Sequence, residues 1–166
     1  MIKQAIIPLA GLGTRLLPLT SVIPKELLPI NGKPGLDYIL EEGINAGIKE
    51  FIFVISNKKK NIKNFFYNDS LYKKIIKKKT KDKRLKLEFL KLKKYRKKIK
   101  FVYQNVPLGT GNAVLKCKKY IKSNFFLMLM PDDLIIKNNC SKSLIKIHKM
   151  YKSSVIASKK VKKSDV

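Results

Sequence analysis

The stretch Ala5-Ile6-Ile7-Pro8-Leu9-Ala10-Gly11-Leu12-Gly13-Thr14-Arg15 decides the fold. Ala5-Ile6-Ile7 is an uninterrupted apolar run, the pattern of a strand buried on both faces. Pro8 limits ladder pairing and marks the strand's exit. Gly11 and Gly13 let the backbone turn tightly and approach a ligand with no Cβ in the way. Successive N–H groups in such a loop form a concave nest for anions. Arg15 brings a planar fork suited to phosphate oxygens, and Lys25 adds a second positive charge. The implied element is a glycine-rich loop at the end of the first strand that holds a phosphorylated ligand. It is not a P-loop, because no Gly-Lys-Ser/Thr follows. It is not a dinucleotide fingerprint either, because the third glycine is missing and Pro18 interrupts any following helix.

Outward from this loop, Leu36, Ile39, Leu40, Gly43, Ile44 and Gly47 recur at helical spacing. They predict an amphipathic helix over about residues 35–47, stopped by Gly47. Residues 51–55, Phe-Ile-Phe-Val-Ile, predict a second buried strand. Strand, loop, helix and strand in that order make a βαβ unit and therefore a parallel sheet. Ile62, Phe65 and Phe66 suggest a short helix after Asn57. Residues 99–104 read as a third major strand. Gly109-Thr110-Gly111 opens a helix to about Tyr120, with Ala113, Val114 and Cys117 inward. Residues 125–130 predict a continuous apolar strand ending in Pro131-Asp132-Asp133. Ser141 is placed to cap a helix turning Leu144, Ile147, Met150 and Tyr151 inward, and residues 154–158 read as a last strand.

Between these elements, residues 71–98 form a Lys-rich, partly helical excursion. Leu71, Ile75 and Ile76 mark one half, Leu85, Phe89 and Leu92 the other, and Thr80-Lys81-Asp82 a break. Tyr72, Phe89, Tyr95 and the surrounding lysines could form a nucleic-acid face. The segment lacks the arginines and the recognisable motif of such faces, so no specific nucleic-acid partner is expected. The chain carries 38 basic against 11 acidic residues, a net charge of +27, and all but Arg15, Arg84 and Arg96 of the basic residues are lysines. Such a charge attracts polyanions non-specifically whatever its origin. Cys117 and Cys140 have neither a disulfide nor a metal spacing and suit a reducing, cytoplasmic setting. No apolar run approaches the ~18 residues of a membrane span, so no membrane partner is expected. His148 reads as a boundary or surface residue.

Three segments of unusual chemistry end strands: the loop at 9–15, the segment at 104–112 and the turn at 131–133. Open α/β sheets bind ligands beyond the carboxyl ends of their strands, so these three are expected to converge. Asp132, held at the end of a buried strand, is suited to hold Mg²⁺ together with phosphate oxygens. A plain turn aspartate is the alternative.

Leu9-Ala10-Gly11-Leu12-Gly13-Thr14-Arg15-Leu16-Leu17-Pro18-Leu19-Thr20, Pro24-Lys25-Glu26-Leu27-Leu28-Pro29 and Asn31-Gly32-Lys33-Pro34 together resemble the amino-terminal signature of the sugar-1-phosphate nucleotidylyltransferases. Within them the sequence is most similar to the bacterial uridylyltransferases that act on UTP and glucose 1-phosphate. Residues 104–114 resemble the uridine-binding stretch, and Met130-Pro131-Asp132-Asp133 the metal-binding stretch. The similarity runs from residue 2 to the end and covers about the first half of the family's usual length. It implies a Rossmann-like nucleotidyltransferase fold, truncated: one nucleotide-binding α/β domain over residues 1–166, with a mainly parallel sheet flanked by helices. It also implies nucleotide binding by Leu9, Ala10, Gly11, Gly13, Thr14, Glu26, Gln104, Gly109 and Gly111. Ala10 and Gly11 offer backbone groups to uracil, and Gln104 and Glu26 complete its recognition. Arg15 and Lys25 are implied in catalysis, and Asp132 in holding Mg²⁺. Family members form homo-oligomers. Where the family has Gly-Leu-Gly-His-Ala, this chain has Gly109-Thr110-Gly111-Asn112-Ala113, which puts side-chain contacts at Thr110 and Asn112 in question. Glu26, where thymidylyltransferases commonly carry glutamine, favours uridylyl transfer.

The implied activity is UTP plus glucose 1-phosphate giving UDP-glucose and pyrophosphate. Three other readings stay open: a truncated, non-catalytic UTP-binding remnant and, behind it, a thymidylyltransferase or a basic nucleic-acid-binding protein.

Overall fold

β1 (Gln4–Pro8) lies inside a four-stranded sheet whose other members are β4 (Glu50–Ile55), β5 (Ile99–Tyr103) and β6 (Leu127–Met128). The order across the sheet is β5-β4-β1-β6, and every pairing is parallel. Two short antiparallel strands, β2 (Pro29–Ile30) and β3 (Lys33–Pro34), form a separate hairpin. The structure is a computed structural model and describes residues 1–78 and 82–162.

The apolar runs behave as their patterns require. Ala5, Ile6, Ile7 and the whole of residues 51–55 are fully buried. The alternating side chains make two cores. On one face Ala5, Ile7, Phe51 and Phe53 pack against α1 (Gly35–Asn45), α2 (Lys60–Tyr67), α4 (Lys83–Arg96) and α6 (Cys140–Tyr151). On the other face Ile6, Ile52, Val54 and Val102 pack against Ala113 and Cys117 of α5 (Gly109–Cys117). Gly43 is essential to the first core: a Cβ there would stand 2.6 Å from the Phe51 ring. Glycine at that point lets α1 lie close on β4. Burial pushes the Cys117 thiol up to about 11, so it is a core residue rather than a nucleophile.

The Lys-rich excursion is two helices, α3 (Asp69–Lys78) and α4. Asp82 caps α4, its carboxylate accepting from Leu85 N. Thr80 and Lys81 of the expected break lie outside the described residues, as do the side chains of Leu71, Tyr72 and Ile76. α4 is not simply solvated: Leu92 and Tyr95 are buried. Lys91 donates to Asp37 at 2.8 Å and lies 3.0 Å from Glu41, tying α4 to α1.

Three expectations are corrected. Residues 125–130 are not a continuous strand. Only Leu127–Met128 pair, Phe125 and Met128 are exposed, and Leu127 and Leu129 are buried, because among the described residues β6 is the sheet's edge and has β1 on one side only. Residues 154–158 form no strand; they run beside β6 across a cleft of about 430 Å³ without ladder pairing. α6 is capped by Asn139, which accepts from Lys142 N. Ser141 instead donates to Glu42 at 2.6 Å from inside the first turn. The inward face of α6 is Ser141, Leu144 and Ile145, while Ile147, Met150 and Tyr151 are exposed. That one-position shift in helical phase follows from anchoring the first turn on Glu42. His148 is half-buried, its ring 4.4 Å from that of Phe125 and tilted 53° to it, with Nδ1 2.8 Å from the Ser153 carbonyl.

Candidate active site

The sheet's chain order reverses between β1 and β6, which makes the gap beyond their carboxyl ends the switch point where α/β ligands bind. A cleft of about 240 Å³ opens there, lined by Ala10, Gly11, Lys25, Glu26, Gln104, Gly109 and Asp132 among others. The three strand-end segments therefore meet. Pro8, Pro107, Thr110, Ala113, Met130 and Pro131 also line the cleft. All of these lie in segments the sequence singled out, Pro8 at the strand exit, Pro107, Thr110 and Ala113 within 104–114, and Met130 and Pro131 beside Asp132, but none was picked as a site residue. The larger cleft beside β6 shares Met130 with this one and is lined mainly by apolar side chains, with Glu42, Asp133, Cys140 and His148 among them; the glycine-rich loop, Lys25, Gln104 and Asp132 do not reach it.

The predicted residues divide into those that line the cleft and those that shape it. Ala10 is buried and Gly11 exposed at the cleft wall; a Cβ on Gly11 would meet nothing within 4 Å. That free space is room for a ligand, not a backbone requirement. The backbone requirement falls on Gly13, at φ +70°, where the chain enters a 3₁₀ turn over Thr14–Leu16. Its carbonyl accepts from Thr20 Oγ1 at 2.8 Å, which closes the loop on itself. Leu9 does not face the cleft. Its side chain is core and its N–H donates to Val54 at 2.7 Å, extending the ladder. Gly13, Thr14, Arg15 and Gly111 also lie outside the lining. Arg15 is exposed on its turn, and its charge helps hold the Asp132 carboxyl down.

Lys25 and Glu26 share one 3₁₀ turn, Lys25–Leu27, and go opposite ways. Glu26 turns in, and both its oxygens accept from Lys59 Nζ, at 2.8 and 2.9 Å. Among the described residues Lys59 is the only buried lysine. Burial pushes its ammonium down while Glu26 pulls it up, and the net shift is downward. Sequence reasoning missed Lys59, which sits in the triplet Lys58-Lys59-Lys60 with nothing to mark it. Lys25 turns out and donates to Asp132 at 2.9 Å. That hydrogen bond holds the Asp132 carboxyl below its usual range.

Gln104 follows β5, and its N–H donates to Ile55 O at 2.8 Å. Its side-chain nitrogen donates to Gly109 O and to Asn112 Oδ1, both at 3.0 Å. Gly109 opens α5 at φ +81°, a conformation that favours glycine.

Among the described residues no group of three or more His, Cys, Asp or Glu is placed to hold a metal. The donor set still suits a hard divalent cation shared with substrate phosphates. Asp132 is an ionised, half-exposed carboxylate at the rim, with an oxygen that Lys25 does not engage. Mg²⁺ is often held by one or two carboxylates with water and substrate phosphates making up the rest.

A sequence profile described as "Nucleotidyl transferase" matches residues 4–165. The chain belongs to the nucleotidyl transferase family. It is 38% identical over 161 residues to UTP–glucose-1-phosphate uridylyltransferase 2 of Staphylococcus saprophyticus, covering 96% of this chain and 55% of that protein. It is 35% identical over 172 residues to the UTP–glucose-1-phosphate uridylyltransferase of Streptococcus pyogenes, covering 99% and 55%. Among solved structures, the UTP-bound UGPase from Acinetobacter baumannii superposes with a TM-score of 0.84 at 31% identity, covering 92% and 54%. The Rossmann-like architecture expected from sequence is thus present, and the chain spans about half the length of these relatives.

Proposed function

We propose that this nucleotidyl transferase chain takes part in transfer of a uridylyl group from UTP to glucose 1-phosphate, giving UDP-glucose and pyrophosphate. One observation carries the reading: Gln104, Gly11 of the glycine-rich loop and the Asp132 carboxylate paired with Lys25 line one cleft at the switch point. Residues 1–166 act in it as a single nucleotide-binding domain, with α3 and α4 as its excursion.

The sugar phosphate is already a nucleophile, so no general base is needed. One of its oxygens forms a bond to the α-phosphorus of UTP as the bond to the β-phosphate bridging oxygen breaks, and pyrophosphate leaves with that electron pair. Catalysis is then positioning and charge neutralisation. Ala10, Gly11 and Gln104 hold the base. Lys25 exchanges Asp132 for phosphate oxygens and offsets charge at the α-phosphate. Arg15 and the loop N–H groups hold the pyrophosphate. Asp132 would hold Mg²⁺, which when bound supplies further neutralisation of the phosphates. The free thiols of Cys117 and Cys140 suit a cytoplasmic setting. Among the described residues no helix is long and apolar enough to cross a membrane.

The length relation to the relatives favours a second reading, UTP binding without turnover by residues 1–166 alone. One assay separates the two: formation of labelled UDP-glucose from UTP and glucose 1-phosphate, beside UTP binding, with Asp132→Asn as control. Turnover abolished by Asp132→Asn supports the enzyme. Mg²⁺-dependent UTP binding without turnover supports the second reading. No UTP binding at all removes both.

A further inference from the structure

We propose that Asn112 is a specificity-determining residue. Together with the Gly109 carbonyl, it turns the Gln104 side chain so that only the amide oxygen is offered to the nucleobase. The inference rests on the reading of Gln104 as a base-contacting group.

The orientation follows from what each partner can do. Gly109 O is a backbone carbonyl and can only accept, so the nitrogen end of the Gln104 amide has to face it. The same nitrogen donates to Asn112 Oδ1 at 3.0 Å, so Asn112 in turn shows its oxygen end. The amide nitrogen carries two hydrogens, and both are engaged. What Gln104 has left is an oxygen that only accepts. The side chain is nearly fully buried at the cleft wall, 4% exposed, so water does not compensate a wrong partner.

This geometry discriminates between pyrimidines. Uracil, joined to ribose through N1, has one ring donor, N3–H, between two carbonyls. Cytosine has an unprotonated nitrogen at that place. Facing ring position 3, an acceptor-only Gln104 meets the N3–H donor of uracil but a lone pair in cytosine, whose amino donor sits on the neighbouring ring atom. A buried group built to pair with a donor rejects an analogue that lacks it. Without Asn112, one Nε2 hydrogen is released and the amide is held by a single bond. It can then present a donor as well, and the distinction weakens. Asn112 is the fourth residue of α5 and Gly109 the first, so one helical turn supplies both acceptors. The departure from the family pattern at residue 112 therefore keeps a side chain able to accept.

The test is calorimetric binding of UTP and of CTP to the 166-residue chain, with Mg²⁺ at fixed salt, for wild type, Asn112→Asp and Asn112→Ala. Asn112→Asp keeps an acceptor toward Nε2 and should keep the preference for UTP. Asn112→Ala, at an intermediate position in a helix, should fold and lose about tenfold of the UTP-over-CTP ratio, the scale of one buried hydrogen bond. A second readout needs no ligand: the Gln104 side-chain amide protons, followed by NMR, should exchange slowly in wild type and Asn112→Asp and faster in Asn112→Ala. A wild-type ratio near one overturns the base-reading assignment and this proposal with it. A clear wild-type preference that persists in folded Asn112→Ala overturns the role of Asn112 alone.

Discussion

Two lysine–carboxylate pairs leave the same 3₁₀ turn and are not equivalent. Lys59–Glu26 has side chains 8% and 1% exposed; Lys25–Asp132 has 26% and 53%. The contact distances are alike, 2.8 and 2.9 Å, so geometry does not separate them. The surroundings do. A buried pair has already lost its water, and removing one partner strands the other charge. An exposed pair is screened and contributes ~0–1 kcal/mol. The inner pair fixes the turn on the end of β4. The outer pair is a weak contact at the cleft rim that phosphate oxygens can replace.

The largest effect should come from breaking the inner pair. Lys59→Met or Glu26→Gln is expected to cost ~3–5 kcal/mol in urea unfolding, and the double variant Lys59→Met/Glu26→Leu to recover most of it. Equal losses in single and double variants would show that packing, not charge, anchors the turn.

Lys91 tests the intermediate case. Its side chain is 25% exposed and donates to Asp37, which is 6% exposed. Lys91→Met should cost roughly 1.5–3 kcal/mol at neutral pH, the range for a hydrogen bond to a charged group. Burial raises the Asp37 carboxyl even against the Lys91 hydrogen bond. Burial also pushes Glu41 up, but hydrogen bonds from Lys33 and Lys91 outweigh it and the net shift is down. Lys91 stabilises only while these carboxylates are ionised. The gap between wild type and Lys91→Met should therefore be full at neutral pH. It should begin to close at Asp37's raised value, above 3.8, and finish below Glu41's ordinary 4.5. Acid unfolding curves of the two proteins measure it. A gap independent of pH would remove the carboxylates from the explanation.

The outer pair should behave in the opposite way. Lys25→Met and Asp132→Asn are each expected to change stability by less than ~1 kcal/mol. Asp132→Asn should nevertheless remove the Mg²⁺-dependent part of UTP binding, seen by titration with and without metal. The smallest effect belongs to Ser56, which leads into the turn that carries Lys59. Its Oγ is buried and has no hydrogen-bond partner among the described residues. Ser56→Ala should be neutral or stabilising by up to ~1 kcal/mol, because the lost hydroxyl made no compensating bond. A clear loss would mean that burial alone, without charge, holds this corner.

The same contrast explains what could be read in advance. β1, α1 and β4 follow from runs and periods that lie within a few residues of one another. The meeting of Gly11, Gln104 and Asp132 follows because strand ends of a parallel sheet share one side. Lys59–Glu26 could not be read, since 33 residues separate the partners and Lys59 looks like its neighbours Lys58 and Lys60. The single burial of residues 125–130 was hidden for another reason. Composition reports how apolar a strand is, not whether a neighbour lies on both sides, and β6 has β1 alone. The phase of α6 was off by one position because Glu42, on a distant helix, sets it.

That one-sided β6 has a colloidal consequence. It is an apolar sheet edge that residues 154–158 flank without ladder pairing, and unpaired edges are where copies of a chain add to each other. Here a net charge of +27 keeps copies apart. The range of that repulsion is about one Debye length, ~10 Å at 0.1 M salt and ~3 Å at 1 M. Salt shortens it and leaves the attraction between apolar edges in place. Light scattering should rise with added salt well below the unfolding temperature, and a lysine placed at exposed Met128 should suppress the rise.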